Sequence, residues 1–425
     1  MRIKKTSFIH ILITAALLLL AFLPNNAVFL GGLRKYLCYA GQLGCLIWGI
    51  VLFRDIYLKM DRFLILLCVF QMEIIASAFL HHTSINAFAR IAFQILSISV
   101  LVRSMARTRP KELMIALMLV FELFALINLI YRIPDRPIEI IEETGPIYFL
   151  GSDNEVTSPM LLLLITSILY TYYYRPNLLS VLGVALPTFT AVYSMCGTAV
   201  MVFTVFAAGI VLYRIAGSHR IIKQFSSAGG VVLIYAVYYF VIFSITMAKF
   251  SFLGDLITRL TGKNAVTFTN RDVIWMEVFR IIRNNLLLGI GYGGGAVGNG
   301  VYVKGFYFGA HNLLLQWGVN GGLVAMAMFL LLLWMVLKRI ERLDSEKRFY
   351  IYLGLLVYLI AMSMENYSNG LHILPILTML YYINYTTERM PAVFQNKTRD
   401  SIWIRRLSKM SSTVWHISSS SSSPR

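Results

Sequence analysis

The stretch from Asn270 to Ala325 gathers three arginines, a glycine-rich turn and a lone histidine, and then runs into a long apolar segment. Thr269-x-x-Asp272 reads as a helix start, an acid in the first turn being favoured by the helix dipole. Trp275, Val278, Phe279, Ile282 and Leu286 then recur at helical spacing, which predicts an amphipathic helix able to lie in a membrane interface. Arg280 and Arg283 share one face of that helix. Arg271 sits at its N-terminal end, roughly half a turn round from Arg280 at about 3.6 residues per turn. An arginine fork grips phosphate oxygens in pairs, and the N–H groups of a helix N-terminus favour anions too. Arg271 is therefore a candidate phosphate ligand or, equally, a solvated charge; Arg280 and Arg283 read first as contacts to lipid phosphates or solvent.

His311 opens the next apolar run. Two readings stand for it: a structural hydrogen-bonding residue, or a neutral imidazole that accepts a proton from a hydroxyl. If it is structural, Asp272 or Glu365 is the alternative base. Asn312 beside it is placed to orient a polar substrate. Gly289-x-Gly291-x-x-Gly294 spells a dinucleotide-binding pattern but lacks the preceding strand and βαβ unit that give that pattern meaning, so it is rejected. Gly289, Gly291 and the glycines that follow instead permit tight turns and close backbone approach to a ligand or a helix. There is no HExxH, Walker or Gly-x-Ser-x-Gly sequence, and His81 and His82 have no further ligands beside them. Neither a metal nor a cofactor is expected.

These residues must be held by a membrane protein. Of 425 residues, 58% are hydrophobic and 14% charged, with a mean hydropathy of +0.70, far more apolar than a soluble domain. The net charge of +18 does not point to nucleic acid, because the basic residues cluster in short loops between apolar runs. A bilayer core needs about 20 apolar residues per helix. The fold class expected is an all-α polytopic membrane protein of about twelve transmembrane helices. They begin near Phe8, Tyr36, Phe63, Ile85, Leu113, Thr157, Leu178, Thr198, Gly229, Asn312, Phe349 and Leu371. With the N-terminus inside, every inner loop is basic and about 26 of the 38 Lys and Arg lie inside. Arg34 and Lys35 run against the rule. The first helix follows Arg2, Lys4 and Lys5 and has no convincing cleavage site, so it is read as uncleaved.

The organisation expected is helices 1–9 over residues 1–248, an extracytoplasmic loop over 249–311, helices 10–12 over 312–387, and a basic, serine-rich cytoplasmic tail over 388–425. A second outer segment, Arg132 to Val156, is acidic. Cys38, Cys45, Cys68 and Cys196 read as packing residues. Among charges inside the spans, Glu73 and Arg90 lie at similar depth and suggest a buried ion pair, while Glu122 has no evident partner.

Arg271-x-x-x-Trp275, then Asn285-Leu-Leu-Leu-Gly289-Ile-Gly291-Tyr-Gly293, then His311-Asn312-Leu-Leu-Leu-Gln316 resemble the motifs of the O-antigen ligase and polymerase family. Gly151-Ser-Asp153-Asn154 also looks like that family's short polar motif. Leu286 stands where the family usually has proline and Asn320 where a glutamate is common. Cys196 stands in place of an arginine in a Ser-Arg-Gly-like motif. The resemblance implies a metal-independent, GT-C-like integral-membrane glycosyltransferase that uses polyprenyl-diphosphate-linked glycans as donor and acceptor. Arg271, with Arg280 and Arg283, would bind the donor diphosphate. His311 would serve the acceptor hydroxyl, and Asn312, Gly289 and Gly291 would position substrate. The implied setting is the bacterial cytoplasmic membrane with both termini cytoplasmic, with a flippase and a chain-length regulator as further partners. A polymerase is the leading reading and a ligase the alternative; a flippase or transporter is the rival from another class.

Overall fold

In the computed structural model, residues 5–51, 61–141, 145–174, 176–194, 196–216, 226–248, 271–292, 301–303, 306–365 and 370–387 are described. Among them are thirteen α-helices: α1 (Lys5–Ala21), α2 (Leu33–Val51), α3 (Arg62–Leu80), α4 (Ile85–Thr108), α5 (Pro110–Arg132), α6 (Thr157–Tyr173), α7 (Leu178–Tyr193), α8 (Gly197–Ala216), α9 (Ala228–Ala248), α10 (Arg271–Asn284), α11 (Leu313–Ile340), α12 (Ser345–Met362) and α13 (Ile373–Thr387). Helices stand at all twelve places expected from the apolar runs, the largest difference in start being Ser345 against Phe349. By length and composition, α3, α4, α5, α8 and α11 are able to cross a membrane, and five other apolar helices are shorter. The compact unit covers Met1–Asn384. The proposed tail beyond 387 and the loop segment 249–270 lie outside the described residues.

Polar residues at the helix starts fix several boundaries. Asp61 accepts from Leu64 N–H at 3.2 Å to cap α3, and Asp344 from Lys347 N–H at 3.1 Å to cap α12. Pro110 opens α5, where its missing N–H costs nothing. The apolar faces of α3, α5, α6, α11, α12 and α13 meet in one core that includes Phe70, Phe121, Leu164, Trp317, Tyr358 and Leu377. A second, smaller core joins Ile274, Trp275, Val278 and Ile282 of α10 to Val301, Ala310, Leu315 and Val319. That core seats α10 against the start of α11.

Two elements depart from the all-α expectation. Strands β1 (Glu139–Ile141) and β2 (Gly145–Ile147) form an antiparallel hairpin in the acidic outer segment. Strands β3 (Val301–Val303) and β4 (Phe306–Phe308) form another just before His311. The expected Glu73–Arg90 ion pair is also absent. Arg90 is on an exposed face, whereas both carboxylate oxygens of Glu73 are buried without a hydrogen-bond partner among the described residues.

The backbone of α11 breaks at Gly322, where φ is +64° and ψ −159°. Residues 286–291 lie across the break. Leu323 and Val324 donate to the Leu286 and Leu287 carbonyls, while Ile290 and Gly291 donate to those of Val319 and Asn320. Backbone groups freed by the break are thus satisfied inside the protein, as a non-aqueous setting requires. A Cβ at Gly322 would lie 2.3 Å from the Leu287 oxygen. Gly322→Ala is therefore expected to lose about 1–3 kcal/mol from the left-handed backbone alone, with the clash added. A lowered unfolding temperature of the detergent-solubilised protein is the measurement.

Candidate functional site

Sequence spacing explains how α10 reaches the histidine. Arg271 and Trp275 are one helical turn apart and both face inward, each buried. Trp275 donates its indole N–H to the Ala310 carbonyl at 2.9 Å, and Ala310 N–H donates to Gln316 Oε1 at 2.8 Å. Ala310 is therefore pinned from both sides, and the next residue is forced into an unusual shape. His311 has φ +45°, a left-handed conformation uncommon for a residue with a side chain. Such strain persists only where surrounding contacts over-determine it, and it clusters at functional sites.

Arg271 and His311 meet through a third residue. Arg271 Nη2 donates to Glu365 Oε1 at 2.7 Å, and His311 Nδ1 lies 3.3 Å from Glu365 Oε2. The Arg271 and Glu365 side chains are 8% and 7% exposed, whereas that of His311 is 34% exposed. The ion pair is thus screened little from within, while the imidazole reaches solvent. With the proton on Nδ1 facing Glu365, the Nε2 lone pair is available to an incoming hydroxyl.

The turn before α6 borders this group. Arg132 pairs with Asp153 and donates to the Ser194 carbonyl at 2.9 Å, which ties that turn to the end of α7. Cys196 donates its thiol hydrogen to Asn154 Oδ1 at 3.0 Å. Glu155 touches solvent, yet protein crowds it enough that desolvation pushes its carboxyl above the usual range, and the nearby Glu365 charge adds to the rise. Burial likewise raises the Cys196 thiol, with Glu365 contributing.

Other expected site residues are placed elsewhere. Arg280 bonds Glu277 through both Nε and Nη2, at 2.8 and 2.6 Å, on the exposed face of α10. Arg283 is exposed as well. Neither joins Arg271, which their helical phase puts on the buried face. Asn312 is fully buried and caps α11, accepting from Leu315 N–H at 3.0 Å. Its amide donates to the Tyr239 hydroxyl at 3.0 Å and the Ser363 carbonyl at 3.1 Å. These bonds fix the start of α11. Gly289 and Gly291, at φ +63° and +76°, are packing glycines: a Cβ there would lie 2.4 Å from Val319 O and 2.3 Å from Ala78 Cα. Gly293, Gly294 and the rest of the glycine run lie outside the described residues. From sequence Glu365 is only an alternative base, its one signal being an acid in a short outer loop.

No curated protein matches the chain. The family model described as O-antigen ligase matches residues 157–330, from α6 into α11. Residues 157–330, which carry Arg271 and His311, are thus similar to the O-antigen ligase family.

Proposed function

We propose that this protein transfers a glycan from a polyprenyl diphosphate to an acceptor sugar hydroxyl at the outer face of the bacterial cytoplasmic membrane, and that the reaction is polymerisation of lipid-linked repeat units. The observation that carries the reading is the Arg271–Glu365–His311 group around a strained histidine, inside a segment of O-antigen ligase type. Nucleotide sugars are not available outside the cell, so an activated donor there comes as a lipid-linked diphosphate. As the bond from the anomeric carbon to the diphosphate breaks, its electron pair stays on the diphosphate, beside Arg271. The guanidinium stabilises that charge. His311 takes the acceptor's proton while the acceptor oxygen bonds to the anomeric carbon.

The family serves both polymerisation and ligation, so sizing the surface polysaccharide after gene deletion separates them. Single repeat units left on lipid support the polymerase. Full-length chains that stay on the lipid carrier indicate a ligase that attaches them to a lipid or wall acceptor. Glycan trapped inside the cell would indicate a flippase instead.

A further inference from the structure

Glu365 divides its two oxygens between the groups assigned to donor and acceptor. We propose that Glu365 is a positioning residue that couples the two: a diphosphate seated at Arg271 strengthens the Glu365–His311 pair and primes His311 to take the acceptor proton. The inference rests on the proposed function, since it requires a diphosphate at Arg271 and a sugar hydroxyl at His311.

The distances support this division. Arg271–Glu365 at 2.7 Å is a short charge-assisted bond, whereas His311–Glu365 at 3.3 Å is at the long end of the hydrogen-bond range. Without an anion, the carboxylate's charge is spent largely on the arginine. Arg271 Nη1 meets the Met364 sulfur at 4.0 Å, a weak acceptor that a phosphate oxygen outbids. Once a diphosphate shares the guanidinium, less of the arginine's charge offsets Glu365. The carboxylate then acts more fully on the imidazole, and a neighbouring negative charge makes an imidazole a better proton acceptor. Glu365 bonds to no reacting atom and changes no proton count. The acceptor proton goes to His311 Nε2, and the leaving electron pair goes to the diphosphate.

Other charged and polar groups surround the pair. Glu365 acts electrostatically on Glu155 and Cys196, in the turns before α6 and α8. Arg271 acts likewise on Tyr238 of α9, and Tyr239 holds Asn312 beside the histidine. Glu365→Gln removes the charge that Glu155 and Cys196 feel, whereas Glu365→Asp retains it, so the two variants separate a lost bridge from a changed field.

Rate profiles against pH test the coupling with the purified full-length protein, a lipid-diphosphate repeat unit as donor and a short-chain lipid-linked acceptor. The kcat/KM profile for donor reports the free enzyme and the kcat profile the complex. In the wild type, the acid limb of the kcat profile is expected at higher pH than that of kcat/KM. In Glu365→Gln the two limbs should draw together and kcat should fall about tenfold or more, with KM for donor changed less. Glu365→Asp keeps the charge beside Arg271 but is one methylene short of bridging both partners, so the limbs should draw together there too, even where the glutamine variant does not accumulate. Limbs that remain as far apart in either variant as in the wild type would overturn the proposal and leave the proposed function standing. No glycan transfer by the wild type would remove both.

Discussion

His311→Asn should lower glycan transfer by about 10²–10⁴-fold, the usual contribution of a positioned general base, at unchanged protein level. Asparagine is the appropriate test because it tolerates the left-handed backbone that His311 adopts at φ +45°. The contacts that impose this shape, from Trp275 and Gln316 to Ala310, do not involve the imidazole. The variant should therefore fold and insert. An amide has no basic nitrogen near neutral pH, so it keeps hydrogen bonding but cannot accept the proton. In the wild type, the rate should fall as the solution becomes acidic, because only neutral imidazole takes a proton. His311→Asn should lose that acid limb together with the activity. If the variant transfers glycan at a substantial rate, His311 is structural and Glu365 is the next candidate base.

Arg271→Lys should cost about 10²–10³-fold in rate, the cost of removing one well-placed donor to a developing anion. Lysine keeps the positive charge opposite Glu365, so the protein remains folded, but it loses the planar fork that serves the carboxylate and a phosphate at once. Arg271→Ala is the poorer experiment. It leaves Glu365 as a buried charge without its partner, and breaking such a pair destabilises by about 3–5 kcal/mol. Arg280→Ala and Arg283→Ala provide the contrast, because both residues sit on the exposed face of α10. Each should stay within about twofold of the wild-type rate, as surface charges away from a site usually change little. A large loss at Arg280 or Arg283 with a near-normal Arg271→Lys would mean that the diphosphate lies on the other face of the helix.

The helices were legible because each apolar run is long and bounded by charged or turn-forming residues, and that pattern survives any arrangement in three dimensions. The two hairpins were not. Each strand is three residues long, too short for alternation to register against the surrounding polar loop. Depth along a helix is readable from sequence but rotation about its axis is less so, and the proposed Glu73–Arg90 pair failed on that point. The half-turn between Arg271 and Arg280 was evident from spacing, whereas which side faced the protein depended on the packing of Trp275 and Ile282. Asn312 did carry a signal: an asparagine directly before an apolar run is a helix-capping residue. Glu365 lies 94 positions from Arg271 and 54 from His311. No local pattern links residues so far apart, and only the packing of α10, α11 and α12 brings them together.

Joint action of Arg271 and His311 on a lipid-linked diphosphate is the core of the proposed function. Its most direct measurement is release of free polyprenyl diphosphate from a defined lipid-linked repeat unit by the purified, membrane-reconstituted protein. The wild type should release one polyprenyl diphosphate for each new glycosidic bond. Release should be lost in both His311→Asn and Arg271→Lys while both proteins remain folded. Glycan extension at wild-type rate by either variant, or extension without polyprenyl diphosphate release, would contradict the account.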